Sequence, residues 1–559
     1  MLDTKSQQVV LQNPIGRSLD DCRALFGAKC EARGLQASAE ALQQLETNGI
    51  PYKPISEEHL VLSWFSDLND RLALLAKDVN PALFSRPSQR LRTEPNKPIT
   101  GSVAKRKMDM GYVGAMDDEG VTDQLYHWSH VRVVGEIKKS PHKDSRSGSW
   151  LDVARYAREV LAAQDDRRFV LGFTLCGSLM RLWAFDRLGG IASKRFDVND
   201  DPLDLVTTVL GFLMMNKAQL GYDPTIVRSG TQRYIEIERD GRPERLILEK
   251  VIFRQACIAG RATTCWKARR AVEEGDDKRT FVIKDAWHFP ERTEEGLMLK
   301  EASMKGPRKK RSSQSTQTSR NIEPENRVHQ RLVTQSYGKP IYQASSLGAL
   351  LAGLEGCING HESLRRQAGL LHRDISINNL MINEEEDEPS RRAFLIDLDL
   401  AVQETRTSAS GANQKTGTRA FMAIGVLLGD QHSFMHDLES FFWVLYWICV
   451  HYSGPGSSLG ATRFYEEWNY MSDSKLAMRK AGLVTGDRVF LQMMESHVTP
   501  YYRPLVPWVN RLRRAVFPGG EPWMDPDEGL YERMKTILRD ARETLAKAVP
   551  DDDVHEEAS

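Results

Sequence analysis

The chain has 559 residues, enough for roughly two to four domains with substantial cores. Its 76 basic and 76 acidic side chains cancel to a formal net charge of zero, so nothing in the balance demands a polyanionic partner or a membrane surface. The seven cysteines form no CxxC pair, no apolar run reaches membrane-spanning length, and the start MLDTKSQQVVLQNPIG lacks an apolar signal core. The expectation is an intracellular protein with reduced thiols, cytoplasmic with the nucleus also open, and with no membrane partner.

Residues 1–99 read as a helical region and linker. SAEALQQLETN and EEHLVLSWFSDLNDRLALLAKDV carry apolar residues at three- and four-residue spacing, and Pro81, Pro87, Pro95 and Pro98 then punctuate the chain. Residues 100–230 read as a mixed α/β domain. KMDMGYV and HVRVVGEIKKS are strand-like, WLDVARYAREVLAAQ is helical, RRFVLGFTLCG and LMRLWAFDRLGG form a hairpin turning at Gly177-Ser178, and DDPLDLVTTVLGFLMMNKAQLG is a further helix. Asp109 followed by Glu136-x-Lys138 is the pattern of restriction-endonuclease-like nucleases, in which two carboxylates hold a divalent metal and the lysine aids the attacking water. Strand alternation puts Glu136 and Lys138 on one face. The same residues equally suit the solvent-facing end of a strand. A scaffold or substrate-binding role is the reading preferred for this domain, without nuclease cleavage and without a nucleic-acid partner.

Residues 235–345 and 346–547 carry a second set of signals. Leu246 to Ile258 is strand-like and leads into AGRATTCWKA, where Gly260 is the surviving glycine of a nucleotide loop and Ala262 holds the second glycine position. Phe281-Val282-Ile283-Lys284 is a strand whose lysine would bind nucleotide phosphates. TEEGLMLKEA reads as a helix offering Glu295 as the carboxylate partner of Lys284, with Glu294 and Glu301 as rivals. Residues 304–326 are basic, Ser/Thr-rich and expected to be a disordered insertion, in which PRKKR reads first as a solvated charge run and second as a nuclear-import signal. RLVTQSYGKPI reads as the strand and hinge for adenine. SSLGALLAGLEGCINGHESLRRQAG reads as a helix leading into His372-Arg373-Asp374.

Asn379 lies five residues beyond Asp374, and the β-run Phe394-Leu395-Ile396 delivers Asp397. This is the spacing of a protein-kinase catalytic loop and metal-binding Asp. Phosphoryl transfer needs a carboxylate for the substrate hydroxyl, which Asp374 would supply, and oxygen ligands for Mg²⁺ at the triphosphate of ATP, which Asn379 and Asp397 would supply. The polar segment after Asp397 runs into Gly417-Thr418 and Phe421-Met422-Ala423, as an activation segment would. Asp437 opens an apolar helix, where a kinase uses an Asp to accept bonds from the catalytic-loop backbone. Residues 548–559 read as an acidic disordered tail.

HRDISINNLMI, LIDLDLA, KTGTRAFMAIG and HDLESFFWVLYWI together resemble the fungal-type protein kinases, over about residues 100–520. The resemblance implies an α+β fold, two-lobed and protein-kinase-like, with the mixed α/β domain upstream. It implies ATP with Mg²⁺ and phosphorylation of Ser/Thr on a protein substrate that the sequence does not identify. His372, Arg373 and Asp374 would be catalytic, Asn379 and Asp397 would hold the metal, and Gly260, Lys284 and Glu295 would serve ATP. Four departures stand out: Ser376 replaces a lysine, Asp399 replaces a glycine, Gly425 replaces the Glu that closes an activation segment, and the nucleotide loop is poor in glycine. An active kinase and a pseudokinase scaffold both accommodate these residues. The complete set of base, lysine and metal ligands favours the former.

Overall fold

The computed structural model describes residues 7–11, 58–79, 87–102, 106–114, 127–239, 241–271, 280–289, 294–303, 327–335, 338–386, 391–404, 417–460, 465–523 and 525–547. The SAEALQQLETN helix, the 304–326 insertion and the 548–559 tail lie outside the described residues. Two compact units divide the chain: Val9–Arg292 with Gln317–Val333, and Met1–Gln8 with Thr293–Thr316 and Thr334–Ser559. The secondary structure is α+β throughout.

Strand β1 (Gln7–Leu11) enters the first of these units at Val9, and helix α1 (Glu58–Val79), β2 (Gln89–Arg92), β3 (Met110–Gly114) and β4 (Val131–Lys138) follow in it. Helix α2 (Leu151–Ala163) leads to β5 (Val170–Cys176), β6 (Leu179–Asp186), β7 (Gly189–Ala192), β8 (Phe196–Asp197) and α3 (Pro202–Met214). The sheet order is β2-β3-β4-β5-β6-β7, with β8 paired to β6. β2, β3 and β4 are antiparallel, whereas β5 runs parallel to β4. A parallel pair needs a crossover, and α2 supplies it. The apolar stripe Val61, Leu62, Phe65, Leu68 and Leu72 of α1 packs with Phe212 of α3 against Tyr112 and Phe173 of the sheet. Val153, Ala157 and Val160 of α2 join a second core with Trp128 and Trp183.

Two sequence expectations shift here. The proline-punctuated linker contains β2, which extends the sheet through its pairing with β3. The last helix stops at Met214 because Asn216 and Gln219 exchange side-chain-to-backbone hydrogen bonds of 2.9 and 3.0 Å that close a turn.

The same unit carries a second sheet of β9 (Ile226–Ser229), β10 (Gln232–Arg239), β11 (Arg242–Arg254), β12 (Thr264–Arg270), β13 (Thr280–His288) and β14 (Val328–Thr334). Its order is β14-β13-β12-β11-β10-β9, with β1 at the β14 edge. Ile235, Leu246, Trp266, Phe281 and Ile283 form its core. Ionic contacts tie it to the first sheet's surroundings. Asp165, just past α2, accepts two bonds from Arg233 (2.6 and 2.8 Å) and one from Trp266 Nε1 (2.8 Å). Arg331 of β14 donates to Asp285 at 2.6 Å and to Asp223 at 3.1 Å. Burial opposes the Asp285 charge, but Arg331 and His329 hold its carboxyl well below the usual range.

The other unit holds α4 (Glu295–Ser303), β15 (Lys339–Pro340), α5 (Leu347–Ala368), β16 (Leu370–Leu371), β17 (Leu380–Ile382), β18 (Ala393–Leu395) and β19 (Val402–Gln403). Helices α6 (Ile424–Leu428), α7 (Phe434–His451), α8 (Asp473–Val484), α9 (Asp487–His497), α10 (Val506–Val516) and α11 (Leu530–Lys547) follow. The run FFWVLYWICV is the buried helix expected of it: α7 is enclosed by Leu354, Phe490, Val509 and Phe517.

Candidate functional site

The catalytic-loop residues are assembled by two short strand pairs. β16 pairs with β19, and β17 pairs with β18 through Leu380 opposite Leu395. The second pair sets Asn379 beside the Asp397 segment, where Ile396 N–H donates to the Asn379 carbonyl at 3.0 Å. Helix α5 ends at Gly369 in a left-handed cap, which turns the chain into β16.

Asp437 of α7 fixes the loop from beneath. Its carboxylate accepts the backbone N–H of His372 (2.9 Å) and of Arg373 (3.1 Å), and also meets His361 and His432 at 2.8 Å each. Burial opposes its charge, yet the neighbouring histidines hold it well below the ordinary carboxylate range. His372 is fully buried and burial pushes its pKa down. Its Nε2 donates to the Ile396 carbonyl at 3.0 Å, while Nδ1 accepts the Asp374 N–H at 3.3 Å. Arg373 and Asp397 have φ of 67° and 64°, a conformation costly for residues with a Cβ and retained only where surrounding bonds enforce it.

The Asp374 carboxylate accepts the N–H of Thr418 at 2.8 Å and its hydroxyl at 2.9 Å. Asn379 Nδ2 donates to the Asp374 carbonyl at 2.8 Å. A Cβ at Gly417 would sit 2.8 Å from the Arg373 carbonyl oxygen, so only glycine lets this segment approach the loop. Glu295 opens α4 and is buried, and its Oε1 accepts the Leu398 N–H at 3.0 Å. Of its rivals, Glu294 is half-buried and the Glu301 side chain lies outside the described residues. Ligand oxygens of Glu295, Asp397 and Asp399 fall within 4.8 Å of one another, a hard-oxygen set suited to a divalent cation.

Sequence reasoning missed what replaces the closing glutamate. At Gly425 a Cβ would lie 2.5 Å from Asp430 Oδ2 and 2.6 Å from His436 Nε2, so a side chain there requires those two side-chain ends to move aside. Instead Glu439 of α7 accepts the Ile424 N–H at 2.7 Å, and Lys480 of α8 donates to the Met422 carbonyl at 2.6 Å while standing over the Trp443 ring. Burial raises the Glu439 carboxyl and pulls Lys480 down to about 7. No local signal marks these two residues, because they lie 15 and 58 positions from the atoms they hold.

The other predicted residues lie in the first-described unit. Lys284 sits on β13 opposite Cys265 of β12 and is half-buried, on the strand face opposite the core residues Phe281 and Ile283. β11 ends at Arg254, short of the expected Ile258, and Gln255 N–H donates to the Thr263 carbonyl at 2.9 Å to close the loop that follows. Gly260 spends its amide on the Arg187 carbonyl at 3.1 Å, and Arg187 Nη1 donates to the Cys257 carbonyl at 2.8 Å. Ala262 has φ 46°, the backbone shape that a glycine would take easily.

Asp109 and Glu136-x-Lys138 are also brought together. Met110 pairs with Gly135, and Asp109 Oδ2 accepts the Ile137 N–H at 3.2 Å. Lys138 Nζ bonds Glu136 and lies 3.9 Å from Asp109. Glu136 is not at a solvent-facing strand end: it is 1% exposed, because α2 and Tyr156 cover that face. Burial, and behind it the Asp109 charge, push its carboxyl up to about 8.

An α+β fold with an HRD loop seated on a buried helix Asp defines a kinase-like chain. The family model described as fungal protein kinase matches residues 107–308 and 303–449, and the chain belongs to that family. Its first matched stretch includes strands β3 to β8 of the upstream sheet as well as Lys284, so most of that sheet is part of the family pattern. Membership gives the chain a kinase-like, phosphotransferase character with ATP as the implied nucleotide. Comparison with individually curated proteins yields no significant match. Among the described residues, no helix is long and apolar enough to cross a membrane.

Proposed function

We propose that the chain is an ATP- and Mg²⁺-dependent protein kinase with two lobes that phosphorylates Ser/Thr hydroxyls. Asp374 receives the proton of the substrate hydroxyl, with His372 and Arg373 shaping its loop. Asn379 and Asp397 hold Mg²⁺, which neutralises charge on the phosphates when bound. Lys284 contacts the nucleotide phosphates, Glu295 serves ATP binding, and Gly260 shapes the nucleotide loop. The observation that carries the reading is the Asp437 carboxylate bonded to two successive catalytic-loop amides, at 2.9 and 3.1 Å. That arrangement holds Asp374 in one place, as general-base catalysis requires. The carboxylates of Glu295, Asp397 and Asp399 add an oxygen-rich environment consistent with Mg²⁺.

Thermal denaturation with and without ATP·Mg²⁺ tests nucleotide use, since a ligand of the native state raises the melting temperature. Wild-type protein should shift upward, and Asp397→Ala should lose the Mg²⁺-dependent part. An unchanged curve at saturating nucleotide would contradict the assignment. A pseudokinase scaffold is the second reading, favoured by the engagement of the Gly260 amide with Arg187.

A further inference from the structure

The polar chain that holds the HRD loop continues past Asp437 into the C-terminal helix. Asp437 Oδ2 accepts the His372 N–H at 2.9 Å and also meets His361 Nε2 at 2.8 Å. On the other side of the His361 ring, Nδ1 lies 2.8 Å from the Tyr531 hydroxyl. His361, Asp437 and Tyr531 are 0%, 1% and 1% exposed, so bulk water does not replace a bond lost between them.

The chemistry fixes who donates. The Asp437 carboxylate stays ionised and accepts, so His361 Nε2 carries a proton. Burial pushes the Tyr531 phenol up and keeps its proton in place. On the neutral imidazole the phenol donates to Nδ1, which selects the tautomer that points Nε2–H at Asp437. Without that donor the ring proton can sit on Nδ1 instead, and a lone pair then faces the carboxylate. Tyr531 is itself held in place. Its ring stacks on Phe434, with centroids 5.7 Å apart. Lys535–Glu362 at 2.8 Å and Arg539–Glu355 at 2.6 Å tie α11 to α5, and Arg365 of α5 pairs at 2.7 Å with Glu528 just before α11.

We propose that Tyr531 is a positioning residue for the HRD loop, acting through the His361 tautomer on Asp437 and so on the His372 and Arg373 amides. Its effect on catalysis rests on the kinase reading above. The C-terminal helix thereby supports phosphotransfer, although the family match ends at residue 449.

Hydrogen exchange of the His372 and Arg373 amides in the full chain, read by mass spectrometry with fragmentation, tests the linkage without any need for activity. Tyr531→Phe keeps the stacked ring and removes only the hydroxyl. It should speed exchange of these two amides about tenfold, as the loss of one buried hydrogen bond allows, while the α11 amides hardly change. In a His361→Gln background, the same Tyr531→Phe change should alter loop exchange less than about twofold, because the linking ring is gone. In steady-state phosphotransfer, Tyr531→Phe should lower kcat about three- to tenfold and leave KM for ATP unchanged. Unchanged loop exchange in Tyr531→Phe, or the same acceleration with and without His361, would overturn the linkage. Faster loop exchange with kcat unchanged would overturn the positioning role. If wild-type protein transfers no phosphate, the kinase reading fails, and the exchange comparison still decides whether Tyr531 holds the loop.

Discussion

The two loops to which phosphotransfer and nucleotide binding are assigned in the proposed function are held by different means. The HRD loop sits on a largely buried polar network, in which Asp437 joins two backbone amides and two histidines. The proposed nucleotide loop, poor in glycine, is held by Arg187, whose carbonyl accepts the Gly260 amide and whose guanidinium donates to the Cys257 carbonyl. A network enclosed in the core tolerates strained backbone such as Arg373 at φ 67°. A loop pinned through one residue of a neighbouring sheet depends on that sheet. The upstream domain of this kinase-family chain is therefore part of the support of the Gly260 loop.

The largest effect is expected at Asp437. Asp437→Ala leaves His361, His432 and two amides without their shared partner, and should cost about 3–5 kcal/mol in chemical denaturation, together with phosphotransfer. The same residue fixes a pH dependence. Its folded-state pKa lies below the unfolded value, so the folded protein keeps the charge where the unfolded chain has taken up a proton. The stabilisation is complete above about pH 4 and is lost as pH falls further. Wild-type melting temperature should drop below that pH more steeply than that of Asp437→Asn.

A smaller effect is expected at Gly425. Gly425→Glu restores the residue common in kinases, yet it should destabilise by about 1–3 kcal/mol, because its Cβ meets Asp430 and His436. A neutral or stabilising outcome in denaturant titration would contradict the role given to Glu439 and Lys480. The smallest effect is expected at the nucleotide loop. Arg187→Ala should raise KM for ATP about tenfold or less with kcat nearly unchanged, since it shifts a binding loop and leaves the reacting groups alone. Steady-state kinetics with varied ATP would read this, and an unchanged KM would free the loop from the upstream sheet.

The contrast also explains what the sequence could disclose. The loop carrying His372, Asp374 and Asn379 and its closeness to the Asp397 segment were legible, because the motif has short, fixed separations that two strand pairs close. Asp437 was legible for the same reason, as an acid opening an apolar helix at the expected place. Glu439, Lys480 and Arg187 were not, because each acts on backbone far from it in sequence, and a lone charged residue carries no local mark of its target. Burial of Glu136 was equally hidden. Strand alternation fixes which side chains share a face, but only the packing of α2 decides whether that face meets water. The strand boundary near Arg254 escaped because the loop's partner, Arg187, lies on the connection after β6.

The central claim is that Asp374 is the catalytic base, and Asp374→Asn tests it most directly. The amide keeps the size of the side chain and can still accept the Thr418 hydrogen bonds, but it cannot take up the hydroxyl proton. Wild-type protein should transfer labelled phosphate from ATP·Mg²⁺ to itself or to a generic Ser/Thr substrate, whereas the Asn variant should bind ATP equally and transfer about 10²–10⁴-fold less. Equal transfer by both proteins would contradict the assignment.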